Sequence, residues 1–92
     1  MELIYQVKNS DLYFKLLNWL VGEFDLFQCE MHGDRLIINY PLVKCCIRKE
    51  AFQDKLVARV EITGQSLKDS QRFLGNIEDL YDIFKRRYLI IK

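Results

Sequence analysis

The sequence predicts an α+β domain in which two helices pack on one face of a mainly antiparallel sheet. Three observations carry that expectation. Several short segments alternate apolar and polar residues at the period of two that a half-buried strand requires. Two longer segments repeat their apolar residues at three and four, the spacing of a helix face. And a chain of 92 residues, 50% hydrophobic and with one proline and four glycines, has material for one core and none for a flexible linker. Residues 1–92 are therefore read as a single compact domain without internal repeats.

The elements follow in order. Leu3, Tyr5 and Val7 alternate with Ile4 and Gln6 and predict a first strand. In Asn9-Ser10-Asp11, short polar side chains can accept from the first helix amides, and Asp11 suits the positive end of the dipole. A helix then runs to about Glu23. Its apolar set is Leu12, Tyr13, Phe14, Leu16, Leu17, Trp19, Leu20, Val21 and Phe24, wider than one stripe. Only Asp11, Lys15, Asn18 and Gly22 mark a polar strip. Leu26 to Met31 and Arg35 to Tyr40 predict two strands around a turn at His32-Gly33-Asp34, where glycine and aspartate tolerate positive φ. Pro41 breaks the run. Leu42 to Arg48 predicts a further strand, with Val43, Cys45 and Ile47 inward and Lys44, Cys46 and Arg48 outward. Lys49 to Asp54 reads as a polar connection. Leu56 to Thr63 predicts the next strand, with Leu56, Ala58, Val60 and Ile62 inward and Arg59 and Glu61 outward.

Gly64-Gln65-Ser66 opens the second helix. Ser66 followed by Asp69 resembles a capping box in which Asp replaces Glu or Gln. Leu67, Phe73, Leu74, Ile77, Leu80, Tyr81 and Phe84 form its apolar stripe. Gly75 inside it weakens a helix by about 1 kcal/mol against alanine, which points to close packing by another element. Arg86-Arg87 suit the negative pole, and Tyr88 to Ile91 reads as a last strand. The order is β-α-β-β-β-β-α-β. It can be drawn as a ferredoxin-like unit with an inserted hairpin, an analogy of element order that carries no function.

Composition narrows the class. The N-terminus lacks a basic region followed by a long apolar run, so no secretory signal is expected. No segment has the roughly 18 apolar residues of a membrane span. Three cysteines, an odd number without a spaced framework, fit a reducing compartment, and a cytoplasmic location is expected. The formal charge of +1 conceals an asymmetry. Up to residue 41, Lys8, Lys15 and Arg35 face six acidic residues: Glu2, Asp11, Glu23, Asp25, Glu30 and Asp34. Basic residues are in excess in the remainder.

The chemistry-bearing residues are few. His32 is the one histidine, and Cys29 precedes it by three, a spacing that puts the two on opposite faces of a strand. Cys29, His32, Cys45 and Cys46 could sum to a zinc set, a weak candidate because neighbours on a strand point to opposite sides. Glu78, Asp79 and Asp82 gather carboxylates on the second helix, but Asp82 also stands where Lys85 and Arg86 make ordinary helix ion pairs. No Gly-rich phosphate loop occurs. No catalytic residue, metal site or cofactor is assigned, and a non-enzymatic protein is expected.

Binding is the remaining class. A protein partner, or a second copy docked through the first helix, would use Tyr13, Phe14 and Trp19 as rigid aromatic anchors, with Glu23, Asp25, Glu30 and Asp34 supplying acidic contacts. Small α+β chains with few motifs are typical of phage and mobile-element factors. The expected role is thus an inhibitor or adaptor docked on a larger host protein, such as a defence nuclease. The alternative is nucleic-acid binding by a basic strand face, with Lys44, Arg48 and Arg59 joined by Lys85, Arg86 and Arg87.

Overall fold

The alternation expected at the N-terminus is realised in β1 (Glu2–Gln6), whose Leu3 and Tyr5 face the core. The computed structural model describes residues 1–24 and 28–88. After β1 come α1 (Ser10–Glu23), β2 (Gln28–His32), β3 (Arg35–Tyr40), β4 (Val43–Phe52), β5 (Lys55–Gly64) and α2 (Leu67–Tyr88). The expected last strand at residues 89–91 and the start of β2 at Leu26 and Phe27 lie outside the described residues. Tyr88 itself belongs to α2, because the helical repeat continues past Arg87.

The five strands lie in the order β1-β5-β4-β3-β2, and every neighbouring pair is antiparallel. Four antiparallel steps separate β1 from β2, so these two strands run parallel at opposite edges. The segment joining them, α1, must therefore cross the whole sheet. The ferredoxin-like analogy holds for the described element order, β-α-β-β-β-β-α, and fails for strand order, since three strands stand between the pair that α1 connects.

That crossing explains the wide apolar face of α1. Leu16 and Leu20 meet the sheet at Ile47 and Val60 and the second helix at Ile77 and Tyr81, around a space of about 10 Å³. Trp19 leans on Phe84 of α2 with ring centroids 5.8 Å apart. Phe24 sits with Tyr40 and Phe73, at 6.2 and 5.4 Å. The core lies between both helices and one face of the sheet, built on Leu36, Ile38, Cys45, Ile47, Ala58, Val60 and Ile62. Among the described residues, the opposite sheet face carries no helix.

Both helix starts are capped as the sequence indicates. Asn9 Oδ1 accepts from Leu12 N–H at 2.8 Å. Ser66 Oγ accepts from Asp69 N–H at 3.1 Å and donates to the Asp69 carboxylate at 2.8 Å. Each such cap contributes about 1 kcal/mol.

Two expectations are corrected. Lys49 to Asp54 is not a loop. β4 continues through Lys49 to Phe52, paired with Ala58 to Lys55, and only Gln53 and Asp54 turn the chain, both at positive φ. That two-residue geometry matches the right-handed strand twist, and Asp tolerates it, which lets a polar sequence stay in the ladder. The second correction is Gly75. A Cβ there meets nothing within 4 Å, so none of the described elements packs against it. The close approach is at Gly64, where a Cβ would lie 2.3 Å from Ser70 Oγ.

Candidate functional site

Alternation along each strand decides what the uncovered face presents. Residues paired across strands share a face. One row reads Glu2, Glu61, Cys46, Ile37 and Glu30 from β1 to β2. The next reads Ile4, Arg59 and Arg48; the β3–β4 register continued by one residue adds Arg35, which pairs with His32. Three guanidinium groups from the consecutive strands β3, β4 and β5 thus stand side by side.

Like charges at strand spacing repel, and carboxylates hold two of the three in place. Arg48 donates to both oxygens of Glu61, at 3.0 and 3.3 Å, and through Nε to Glu50 at 3.2 Å. Arg59 donates through Nε to the other oxygen of Glu50 at 2.6 Å, and its Nη1 pairs with Glu2. Glu50 therefore bridges two guanidinium groups within one chain of charges running Glu61–Arg48–Glu50–Arg59–Glu2. Hydrogen bonds from Arg59, and after them from Arg48, hold its carboxyl below the usual range. Arg59 is correspondingly raised, first by Glu50 and then by Glu2.

A carboxyl lowered on folding stabilises the fold above its unfolded pKa, and that contribution fades as pH falls through the folded value. The melting temperature of Glu50→Gln is therefore expected below wild type at neutral pH. The two curves converge below the ordinary carboxylate range. Parallel curves across the acid range would show that Glu50 contributes no ionic stabilisation.

Arg35 and Lys44 complete the face. Neither has a carboxylate partner among the described residues. Beside the ion chain, Ile4, Gln6, Phe52, Gln53, Lys55 and Val57 line a shallow groove of about 330 Å³. Val57 is buried there, while Ile4 and Phe52 are exposed.

The residues singled out from sequence fall as follows. Tyr13 is no surface anchor: it is 0% exposed, and its hydroxyl donates to the Asp34 carbonyl oxygen at 2.6 Å. Trp19 is half-buried against the core. Phe14 is exposed, with Lys49 Nζ 5.4 Å from its ring centroid and Tyr13 edge-on to it. Outward contacts of α1 thus rest on Phe14 and its polar strip. Glu23 and Asp34 are exposed, Glu30 is half-buried beside His32 Nε2 at 3.1 Å, and Asp25 lies outside the described residues.

Lys44, Arg48 and Arg59 do share the uncovered face, but two of them are occupied by carboxylates. Lys85, Arg86 and Arg87 are not part of that face. They form the last turn of α2, whose Tyr81 hydroxyl donates to Gln6 O at the end of β1, whereas Lys44 stands at the other end of the sheet beside Thr63. The expected ion pairs of Asp82 with Lys85 and Arg86 are not formed.

The four zinc candidates are divided by the sheet. Cys29 and Cys45 point to the core on either side of Ile38, while Cys46 and His32 point outward. Cys29 Sγ donates to Phe24 O at 3.4 Å, which also separates it from His32. Burial, with smaller contributions from Cys46 and Cys29, pushes the Cys45 thiol up to about 12, so it is protonated at neutral pH. Among the described residues no three His, Cys, Asp or Glu side chains gather at a metal's distance. The Tyr5 hydroxyl is buried without a hydrogen-bond partner among the described residues, its ring stacked on Tyr81 at 3.9 Å. Burial first, then Glu78 and Asp82, raise it far above the ordinary phenol value, so it is no proton carrier near neutrality.

Arg35 was missed in the sequence as a partner of Arg48 and Arg59. It shares their alternation, but only the register of β3 on β4 brings it alongside. No helix of the described residues is long and apolar enough to cross a membrane. No protein-family model, curated protein or solved structure matches this chain.

Proposed function

We propose that this chain is a non-enzymatic protein-binding module that docks through the uncovered face of its sheet. The observation that supports this most is the ion chain from Glu61 to Glu2. It immobilises five long side chains before any partner arrives, which removes much of the ordering cost that charged side chains carry on association. Arg35 and Lys44 remain to receive carboxylates from a partner, and the groove between Ile4 and Phe52 suits one apolar side chain from it. The partner is thus a larger protein with an acidic group beside an apolar anchor. An inhibitor or adaptor acting in a reducing, cytoplasmic setting fits this reading and the three thiols.

Nucleic acid on this same face is the weaker reading. At Arg48 or Arg59 a phosphate would have to displace Glu50, Glu61 or Glu2, which leaves it Arg35 and Lys44 on this face.

Photo-cross-linking tests the proposal. A photoreactive side chain at Asn39 or Thr63, on the open face, is expected to trap one protein in native lysate. The same group at Asn18 or Asn76, on the helices, is expected to trap none. With the purified pair, Arg35→Glu should weaken binding about tenfold or more. Cross-links arising from Asn18 instead would move the contact to α1 and sink the sheet-face reading.

A further inference from the structure

We infer that the end of the fold formed by the β4–β5 hairpin and the last turn of α2 is a binding surface for single-stranded nucleic acid. This surface adjoins the open sheet face, with which it shares Phe52 and Lys55, and does not depend on that face having a protein partner. Six cations meet at this end: Lys8, Lys49, Lys55, Lys85, Arg86 and Arg87.

Their convergence follows from contacts. Val7 N–H donates to Leu56 O at 3.0 Å, which sets Lys8 next to Lys55. Tyr81 donates to Gln6 O, and Lys85 Nζ lies 5.9 Å from the Tyr81 ring centroid, so the basic turn of α2 reaches the end of β1. Lys49 Nζ reaches Ser10 Oγ at 3.4 Å, bringing the start of α1 to the same end.

None of the six has a carboxylate partner among the described residues, although Asp11, Asp54 and Asp82 lie in the same region. This is the reverse of the sheet face, where Arg48 and Arg59 are neutralised in place. Six cations without a carboxylate partner thus share one end, while Arg35, Lys44, Lys68 and Arg72, also without one among the described residues, are spread over the rest of the fold.

Two exposed aromatic rings distinguish the ligand from an acidic protein. Phe14 stands beside Lys49, and Phe52 is paired across the hairpin with Lys55. A ring with a neighbouring lysine repeats the arrangement that a single strand needs, a stacking face for a base and a cation for its phosphate. A duplex keeps its bases stacked inside and cannot use the rings.

The test is fluorescence anisotropy of the whole protein with labelled oligo-dT and oligo-U of about 15 nucleotides. Saturable binding is expected, with a log–log salt slope near −4 when all six cations are engaged, since each contributes about −0.7 on a single strand. Lys55→Glu with Arg86→Glu should weaken binding about tenfold or more and flatten the slope. Phe14→Ala with Phe52→Ala should weaken binding and leave the slope unchanged. Lys68→Glu, in the first turn of α2 at the far end, should change little, and the two oligonucleotides together decide between RNA and DNA. Absence of binding at low salt, an equal loss in Lys68→Glu, preference for a duplex, or equal competition by polyglutamate would each overturn the assignment. All the substituted side chains are exposed or half-buried, and circular dichroism of each variant checks that it remains folded.

Discussion

Tyr13→Ala is expected to destabilise the domain by about 3–5 kcal/mol, the range for removing a large aromatic from a packed core. Tyr13 is fully buried and makes its own hydrogen bond, from its hydroxyl to the Asp34 carbonyl oxygen at 2.6 Å. That bond ties α1 to the β2–β3 turn, across 21 residues of chain. Truncation leaves a cavity and also strands the carbonyl. Tyr13→Phe keeps the packing and loses only the bond, so about 1 kcal/mol is expected. Urea titration of the two variants separates the contributions. Since small domains have total stabilities of about 5–15 kcal/mol, the alanine variant approaches unfolding in water. Phe14→Ala, one residue on and exposed, should stay within about 1 kcal/mol of wild type. If Tyr13→Ala stayed fully stable, the hydroxyl contact and the burial that define α1 as a core helix would both be in error.

Gly64→Ala carries the next largest expected effect, a loss of about 1–3 kcal/mol, the range for forcing an extra carbon into a filled site. A methyl group there meets Ser70 Oγ at 2.3 Å, Leu42 O at 3.2 Å and Val43 Cγ2 at 3.3 Å. The serine side chain can rotate away. The Leu42 carbonyl cannot move freely, because Gln65 N–H donates to it at 3.1 Å. Leu42 is itself held at φ 64, in the left-handed region that disfavours a branched, bulky residue. Adding Ser70→Ala is therefore expected to recover only part of the loss. Full recovery in the double variant would place the whole clash on the serine. Gly75→Ala provides the contrast: with nothing within 4 Å and a helical position, it should gain up to about 1 kcal/mol.

These two glycines show how far local pattern reaches. Both stand in unremarkable sequence, and the helix penalty drew attention to Gly75. Yet the tight site is Gly64, where α2 begins against the β3–β4 turn, and its neighbours Leu42 and Ser70 are set by the fold. The caps at Asn9 and Ser66 were legible because every atom of a cap lies within about one helical turn of chain. The inward sets of β4 and β5 were legible because alternation is a property of each strand alone. The strand from Lys49 to Phe52 was not, because its polar residues are held by cross-strand pairing and not by burial.

The candidate surfaces divide in the same way. From the sequence came the cations Lys44, Arg48 and Arg59 as one outward set, and Phe14 as an outward aromatic. The occupation of Arg48 and Arg59 was hidden, since Glu2 is 57 residues from Arg59 and Glu61 is 13 from Arg48. Tyr13 was read as an anchor because an aromatic at the rim of a wide apolar helix looks the same whether water or a distant turn faces it.

By itself, then, the sequence determined the class, the seven described elements and which side of each strand meets the core. Those properties follow from periods of two and 3.6 residues and from contacts within one turn. Only the tertiary structure decided the strand order, with β1 and β2 at opposite edges, and the register that lines up Arg59, Arg48 and Arg35. It alone decided which cations are neutralised and which gather at the hairpin end without carboxylate partners among the described residues. The reason is physical: charge–charge and hydrogen-bond energies depend on distances of a few ångströms. For residues tens of positions apart, those distances are set by the packing of the whole core.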